Sequence, residues 1–233
     1  MKRIVVTGAS RGIGRAAALA IAEPDVTLIV VGRNLEALED TGERCRAKGA
    51  EVSEVVADLM DPASLLMISS AVRAWDGEIV LVNAAGVASF GDFVSQPWTD
   101  VAYQIDMNLL VPMRLCHTLL PLMLDSGSGQ IINVLSIAAT HAFSGATSYG
   151  ASKAGLLAAG RNLAAEYRRQ GIRVTALLPG ATDTPIWDGQ GFVPPRAEML
   201  TAEAVGQAIA DLVRLPPDRV VDELTLMPPK GIL

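Results

Sequence analysis

Short apolar stretches rich in β-branched residues alternate along the chain with longer stretches in which apolar positions recur every three or four residues. The first kind predicts buried strands, and the second predicts helices with one buried face. Seven stretches are predicted as strands: Ile4–Thr7, Val26–Val31, Glu51–Ala57, Ile79–Val82, Gln130–Leu135, Arg173–Leu178 and Val221–Leu226. Six stretches are predicted as helices: Gly14–Ala22, Leu35–Lys48, Pro62–Ala74, Trp98–Leu124, Tyr149–Gln170 and Ala202–Leu215.

This alternation predicts an α/β fold in which helices cover both faces of a parallel sheet. Because crossovers between parallel strands are right-handed, we expect the strand order 3-2-1-4-5-6, with a seventh strand at the edge. The 233 residues fit a single domain, 1–233. The prediction is therefore a doubly wound parallel sheet of about seven strands, with ligands at the carboxyl ends of the strands.

A glycine-rich turn, Gly8-Ala9-Ser10-Arg11-Gly12-Ile13-Gly14, joins the first predicted strand to the first predicted helix. In this context glycines let the backbone approach a pyrophosphate, and the helix N-terminus offers unpaired N–H groups. The spacing Gly-x-x-x-Gly-x-Gly differs from the standard Gly-x-Gly-x-x-Gly. The turn indicates a Rossmann-like nucleotide site or, alternatively, a turn with a structural role alone.

Tyr149 and Lys153 lie four residues apart in a predicted helix, and Ser136 lies thirteen residues before Tyr149. Residues at i and i+4 share one face of a helix. An ammonium beside a phenol favours the phenolate, which would bring the tyrosine pKa from about 10 toward the range that acid–base chemistry needs. With a serine hydroxyl on the same substrate oxygen, the set would suit proton exchange with an alcohol or a carbonyl. By itself the Tyr-x-x-x-Lys spacing also fits an ordinary amphipathic helix.

These segments together resemble the short-chain dehydrogenase/reductase family over nearly the whole chain. Seven motifs in the family's order carry the resemblance: Thr7–Gly14, Asp58-Leu59, Asn83-Ala84-Ala85-Gly86, Asn108, Ser136, Tyr149 with Lys153, and Pro179-Gly180 followed by Thr184. Ala84 stands where the family has a second asparagine. The irregular segment 185–198, rich in glycine and proline, corresponds to the family's substrate lid and is short for the family.

The resemblance implies an oxidoreductase that transfers a hydride between a nicotinamide and a ketone or secondary alcohol. It implies that Tyr149 exchanges the proton, that Ser136 holds the oxygen, and that Lys153 lowers the tyrosine pKa and binds the ribose. Asn108 would anchor a water, or cap a helix kink. The implied cofactor-binding residues are Gly8, Ser10, Arg11, Gly12, Ile13, Gly14, Arg33, Asn34, Asp58, Leu59, Asn83, Ala84, Gly86, Tyr149, Lys153, Pro179, Gly180, Thr182 and Thr184.

The residue after the second strand bears on the choice of cofactor. An acidic side chain there would favour NAD, whereas an arginine can accommodate the 2′-phosphate of NADP. Arg33 occupies the position, and Arg11 could add a second cation. We expect NADP(H) to be preferred, with NAD(H) possible if Arg33 and Arg11 are simply solvated.

Composition limits the possible binding partners and the cellular compartment of the protein. The net charge of −6 without a basic cluster argues against nucleic acid. No apolar run approaches the roughly 18 residues of a membrane span, and Met1-Lys2-Arg3 leads straight into a strand. Cys45 and Cys116 form no disulfide framework, and no Cys/His cluster predicts a metal site. We expect a cytoplasmic protein with a small-molecule substrate and without a membrane partner.

Substrate and assembly are less constrained. Trp187 in the lid is a candidate apolar contact, and His141 is either a substrate contact or a surface loop residue. Ordinary packing is expected for Phe90. Long apolar helices predict more than a monomer, and the resemblance implies a homo-oligomer, either a dimer or a tetramer. A 3-oxoacyl thioester, a ketone and a hydroxy acid remain open as substrates, neither direction is fixed, and a catalytically idle dinucleotide-binding sensor or scaffold is the alternative function.

Overall fold

The computed structural model describes residues 2–73 and 77–233. Seven of its strands form one parallel sheet in the order β3-β2-β1-β4-β5-β6-β9. These strands are β1 (Lys2–Thr7), β2 (Val26–Gly32), β3 (Glu51–Val56), β4 (Glu78–Asn83), β5 (Gly129–Val134), β6 (Ile172–Pro179) and β9 (Glu223–Leu226). The predicted doubly wound α/β fold and its strand order are confirmed, including the seventh strand at the edge.

The helices agree with the predicted ones to within a few residues at their ends. They are α1 (Gly12–Ile21), α2 (Leu35–Arg46), α3 (Pro62–Arg73), α4 (Trp98–Ile105), α5 (Val111–Asp125), α6 (Thr147–Tyr167) and α7 (Ala202–Arg214). Ala74, the expected last residue of α3, lies outside the described residues. The end of the predicted helix Tyr149–Gln170 is a separate 3₁₀ turn, Arg168–Gln170.

Alternate residues of each central strand enter two separate cores. In β1, Ile4 and Val6 pack toward α1, α2 and α7, whereas Val5 packs toward α3 and α5. Because strand side chains alternate between faces, a strand buried on both faces is a continuous apolar run. On the first face α1 and α7 approach closely, since a Cβ on Gly206 would lie 2.6 Å from the Ala16 carbonyl carbon.

The predicted helix Trp98–Leu124 is interrupted by a π-helical turn, Asp106–Leu110, between α4 and α5. By length and composition the helical run Trp98–Asp125, with a mean hydropathy of 1.3, could cross a membrane, contrary to the sequence-based expectation. In this fold Leu115, Leu119 and Met123 instead pack into the core beneath the sheet. Such packing is that of a core helix, which meets the same criteria of length and composition.

The lid segment 185–198 is more regular than its sequence predicts. Two short strands, β7 (Thr182–Asp183) and β8 (Leu200–Thr201), pair in parallel at its base. Between them are two 3₁₀ turns, Pro185–Trp187 and Arg196–Glu198. Arg196 forms ion pairs with Asp183 and Asp188. Strands of two residues are too short to show a hydrophobic pattern, so the sequence gives no sign of them.

Candidate active site

A crevice of about 780 Å³ lies at the carboxyl ends of the strands, where the strand order reverses between β1 and β4. Doubly wound sheets bind their ligands at such a point. Its lining includes thirteen of the predicted cofactor residues: Gly8, Ser10, Arg11, Gly12, Ile13, Gly14, Arg33, Asn34, Asp58, Leu59, Ala84, Gly86 and Thr184. These residues are scattered along the chain, so the fold itself brings the predicted set together.

The glycine turn is shaped by close contacts of the backbone. Gly8 and Gly12 have φ angles of 68° and 57°, which favour glycine. A Cβ on Gly14 would lie 2.4 Å from the Gly8 carbonyl oxygen, and one on Gly8 would lie 2.9 Å from Ala85 Cα. The α1 N-cap residue Arg11 makes no side-chain capping bond, so the first N–H groups of α1 are left for a ligand at the crevice.

Ser10 supplies a polar atom that the protein itself does not satisfy. Its buried Oγ makes no hydrogen bond, although it lines the crevice. A Cβ on Gly32 would lie 2.3 Å from this oxygen, so only glycine leaves room for it. A buried hydroxyl without a partner is costly unless a ligand or water pairs with it. Ser10 therefore fits a hydrogen bond to a bound anion.

Two arginines stand at the end of the crevice formed by β2 and the glycine turn. Arg11 and Arg33 are both exposed, and in residues 2–73 and 77–233 neither forms an ion pair with a carboxylate. Asn34 also lines this end, but its Oδ1 accepts the Ala37 N–H at 2.9 Å and caps α2. The two guanidinium groups are thus available to an anionic ligand, whereas the Asn34 side chain is committed to its helix.

The side chain of Asn83 points away from the crevice, contrary to its predicted cofactor role. Its Nδ2 donates to Asn133 Oδ1 at 2.9 Å and lies 3.7 Å from Cys116 Sγ. Asn83 ends β4 with its side chain in the layer between the sheet and α5, because strand residues alternate between faces. The crevice wall at this point is formed by Ala84 and Gly86 instead.

The segment that follows β6 divides in the same way. Thr184 lines the crevice, where a Cβ on Gly12 would lie 3.5 Å from its side chain. Pro179, Gly180 and Thr182 are buried behind it, and Thr182 Oγ1 donates to the Gly180 carbonyl at 3.0 Å. These three residues do not line the crevice, and Thr184 Oγ1 donates to the Thr182 carbonyl at 3.5 Å.

Ser136, Tyr149 and Lys153 meet below the lid. Ser136 follows β5 and hydrogen-bonds the Tyr149 phenol, and its Oγ accepts the Ala138 N–H at 3.1 Å. Tyr149 and Lys153 lie on one face of α6, with Lys153 Nζ 5.7 Å from the centre of the tyrosine ring. The serine, tyrosine and lysine that the sequence separates by up to 17 residues are therefore neighbours.

The electrostatics of this group differ from the sequence-based expectation. Burial raises the pKa of Tyr149 to about 12, and the hydrogen bond to Ser136 acts in the opposite direction. Burial lowers the pKa of Lys153 to about 8, and its Nζ donates to the Val134 carbonyl at 3.0 Å. The expected lowering of the tyrosine pKa by Lys153 is not found here, because desolvation of the phenol is the dominant effect.

Asn108 lies in the π-helical turn and is nearly fully buried. Its Oδ1 accepts the Val87 N–H at 2.9 Å, and its Nδ2 donates to the Val87 carbonyl at 2.8 Å and to Ser152 Oγ at 3.2 Å. A Cβ on Gly86 would lie 3.1 Å from Asn108 Oδ1 and 3.5 Å from Lys153 Nζ. Asn108 thus holds the chain after β4 against α6, which agrees with a role at a helix irregularity.

An aromatic wall, Phe90 with Trp187, covers Tyr149. The Phe90 ring meets the Tyr149 ring edge-on at 5.4 Å and stacks on Trp187 at 5.4 Å. Gln190 of the lid accepts the Phe90 N–H at 3.1 Å and donates to the Ala88 carbonyl at 2.9 Å. Ordinary packing was expected for Phe90, whereas the structure places it between the lid and the candidate catalytic tyrosine.

Other residues depart from the sequence-based picture. His141 is exposed, hydrogen-bonds Thr140 and Ile137 of its own turn and does not line the crevice. Tyr103 and Met107 do line it but were missed. Their spacing of four residues on one helix was the available signal. Among the described residues no group of three His, Cys, Asp or Glu side chains could hold a metal.

Comparison with known proteins shows the family of this chain. The family profile of short chain dehydrogenases matches residues 2–191. Sepiapterin reductase of Chlorobaculum tepidum is 33% identical over 99% of this chain and 98% of its own length. An alcohol dehydrogenase from Thermococcus sibiricus, solved with 5-hydroxy-NADP, is 29% identical, with a TM-score of 0.87 over 97% of this chain and 96% of its own.

A short-chain dehydrogenase from Sphingobium yanoikuyae, solved with NADPH, is similar over 98% of this chain and 88% of its own. Its sequence identity is 32% and its TM-score 0.83. The family match covers most of the chain, and the relatives are similar over nearly their whole length. This chain belongs to the short-chain dehydrogenase/reductase family and is a short-chain oxidoreductase.

Proposed function

We propose that this protein is an NADPH-dependent carbonyl reductase or alcohol dehydrogenase that acts on a ketone or secondary alcohol. The observation that carries the proposal is the meeting of Ser136, Tyr149 and Lys153 beside a crevice shaped by glycines. An idle scaffold would have no need for a hydrogen-bonded Ser136–Tyr149 pair beside a buried lysine. Catalysis uses that arrangement.

The crevice fits a dinucleotide. Close backbone contacts at Gly8 and Gly14 leave space for a pyrophosphate, and Ser10 Oγ has no partner within the protein. Arg33 and Arg11 suit a 2′-phosphate, because guanidinium groups bind phosphate oxygens in pairs. Two similar structures were solved with NADP-type cofactors. The bound nicotinamide would supply the hydride.

The protein's own side chains would handle the oxygen and its proton. Ser136 would hydrogen-bond the substrate oxygen and orient it next to Tyr149. The phenol of Tyr149 is protonated at neutral pH, since burial raises its pKa to about 12, and so it can donate a proton to the carbonyl oxygen. Lys153 would hold the ribose and return a proton to Tyr149.

The aromatic wall supports an uncharged substrate. Phe90 touches Tyr149, so the group beside the carbonyl would rest against Phe90 and Trp187. Stacked rings favour apolar, planar groups. Segment 185–198 acts as the substrate lid in this proposal, because Gln190 binds it to the chain after β4. A ketone therefore suits the site better than a hydroxy acid.

Assembly and compartment complete the proposal. Trp98 is 73% exposed and Met113 is 42% exposed, on neighbouring helices α4 and α5. Large exposed apolar side chains of this kind suit an interface, and so we propose a homodimer or homotetramer. Cys45 and Cys116 are free thiols, which suits the cytoplasm. Size-exclusion chromatography with light scattering measures the oligomeric state.

The proposal is tested by fluorescence titration with NADPH and NADH, followed by assays of ketone reduction. We expect NADPH to bind more tightly than NADH and to be consumed with an aryl ketone. If NADH alone binds, the NADP preference is wrong while the enzyme class stands. If neither cofactor binds, the proposal fails and the idle scaffold becomes the better hypothesis.

A further inference from the structure

Two buried amide side chains project from one face of the helical run that contains α4 and the π-helical turn. Gln104 and Asn108 lie four residues apart and are each 1% exposed. Across from them α6 presents two buried serines, also four residues apart. Gln104 Nε2 donates to Ser148 Oγ at 2.8 Å, and Asn108 Nδ2 donates to Ser152 Oγ at 3.2 Å. Two amide–hydroxyl bonds thus join the helices inside the protein.

Each of these serines immediately precedes a candidate catalytic residue. Ser148 comes before Tyr149, and Ser152 comes before Lys153. Ser152 Oγ also donates to the Tyr149 carbonyl at 2.7 Å. Because adjacent residues are rigidly linked along a helix, a bond that fixes Ser148 also fixes where the Tyr149 side chain leaves α6.

Gln104 has a second arm that reaches the chain after β4. Its Oε1 accepts the Ser89 N–H at 3.0 Å. Ser89 precedes Phe90, whose ring packs on Tyr149. Gln104 therefore holds Tyr149 from two directions, through the backbone of α6 and through the ring that rests on the phenol. A buried polar network with all its bonds made favours one arrangement of its parts.

We propose that Gln104 is a positioning residue, which clamps Tyr149 through Ser148 and through the Ser89–Phe90 segment. The proposal rests on the proposed function, because it concerns proton donation by Tyr149. The resemblance to the family implies a role in the active site for Asn108, but it gives no role to Gln104. A merely structural amide could be replaced together with its partner by apolar groups at little cost in stability. A positioning amide would instead affect turnover.

The test compares Gln104→Met, Ser148→Ala and the double variant in NADPH-dependent ketone reduction. We expect kcat to fall about tenfold in Gln104→Met, because small displacements of a reacting group are costly. The double variant should fall no further than Gln104→Met, since both changes remove the same bond. KM for NADPH should stay within about twofold. Ser148→Thr, which keeps the hydroxyl, should retain more activity than Ser148→Ala.

The pH profile separates positioning from stability. Reduction needs a protonated phenol, so activity falls as the pH rises through the pKa of Tyr149. Loosening the Ser89–Phe90 segment would admit water and relieve the burial that raises this pKa. Lys153 Nζ would remain near the Tyr149 ring, whose centre is 5.7 Å away. The alkaline limb of kcat should therefore move to lower pH in Gln104→Met.

Gln130 provides a matched control. It is also 1% exposed and donates to the Leu212 carbonyl at 2.8 Å, but it lies at the amino end of β5, away from the crevice. Gln130→Met should lower the free energy of unfolding without moving the pH profile. If the wild-type protein turns over ketone and Gln104→Met has the same kcat and the same pH profile, this inference is overturned while the proposed function stands. Equal shifts in Gln130→Met would overturn it too, whereas absence of wild-type turnover would overturn the proposed function.

Discussion

The glycine-turn end of the site lines the crevice and offers a ligand backbone and exposed charge, whereas the tyrosine end lies beside the crevice and consists mainly of buried side chains. The first end consists of Gly8, Gly14 and the solvated Arg33. The second consists of Tyr149 and Lys153, which are buried, and Ser136, which is half-buried. We infer that changes at the first end should affect binding, and that changes at the second should affect turnover and protonation.

The largest expected effect is at the tyrosine end. Tyr149→Phe removes the proton donor while keeping the ring that packs on Phe90. We expect kcat to fall about 10³-fold with NADPH binding nearly unchanged, because the lost interaction is used in the transition state. Tyr167→Phe, near the end of the same helix, is the control and should retain activity. Unchanged turnover in Tyr149→Phe would refute the mechanism.

The next test changes the backbone end. Gly14→Ala would bring a Cβ within 2.4 Å of the Gly8 carbonyl oxygen, so the turn must shift. We expect NADPH affinity to fall about 100-fold, about 2.7 kcal/mol, measured by fluorescence titration. Gly191→Ala, where nothing lies within 4 Å, is the control and should bind normally. Equal affinities in both variants would show that the turn does not shape the binding site.

At the buried end, replacing Lys153 should change the free energy of unfolding. Its pKa is about 8 in the folded protein against an ordinary value of 10.5. Between these pH values the unfolded chain binds more protons, so the cost of burying the ammonium is fully present below pH 8 and disappears as the pH approaches 10.5. Lys153→Met should gain about 2 kcal/mol in free energy of unfolding at neutral pH.

Urea unfolding of both proteins from pH 7 to pH 10 measures this difference. Because Tyr149 and the cysteines are common to the two proteins, their own titrations cancel in the comparison. The advantage of Lys153→Met should shrink as the pH rises above about 8. A difference that is constant with pH would mean that the ammonium is not desolvated in the folded state.

Arg33→Asp sharpens the comparison at the exposed end. An acidic side chain there would repel a 2′-phosphate and accept from a ribose hydroxyl. We expect the KM for NADPH to rise about tenfold while kcat changes little, since exposed ion pairs contribute modestly. Arg44→Asp makes the same charge change on α2 outside the crevice and should leave KM unaltered. An identical effect of both variants would point to net charge alone.

The smallest effect is expected at the lid. Trp187→Leu removes the ring that stacks on Phe90 but keeps an apolar side chain. We expect kcat/KM for an aryl ketone to fall roughly fivefold and for an aliphatic ketone to change less, because an aromatic pair contributes about 1 kcal/mol. Trp98→Leu, at a largely exposed site, is the matched control. Equal losses of kcat/KM for both ketones would contradict the proposed preference of the site for aromatic substrates.

The sequence by itself determined the strand order and the residues of the glycine turn. Continuous apolar runs such as Val26–Val31 can only be buried on both faces, and right-handed crossovers then fix the topology. The turn could be recognised because its constraint is local: Gly8 and Gly14 adapt the backbone within a few residues. Ser136, Tyr149 and Lys153 were found through their order and spacing, and their catalytic roles stay predictions.

Tertiary structure decided what each side chain faces. Asn83 belongs to a recognised motif, yet strand alternation at the end of β4 directs it toward Asn133. Phe90 gave no signal in the sequence, because its contacts with Tyr149 and Trp187 join three distant segments. The pKa of Tyr149 likewise depends on desolvation, a property of everything packed around the phenol. Short-range sequence patterns determine the secondary-structure elements, whereas burial and contact between distant residues exist only once the chain has folded.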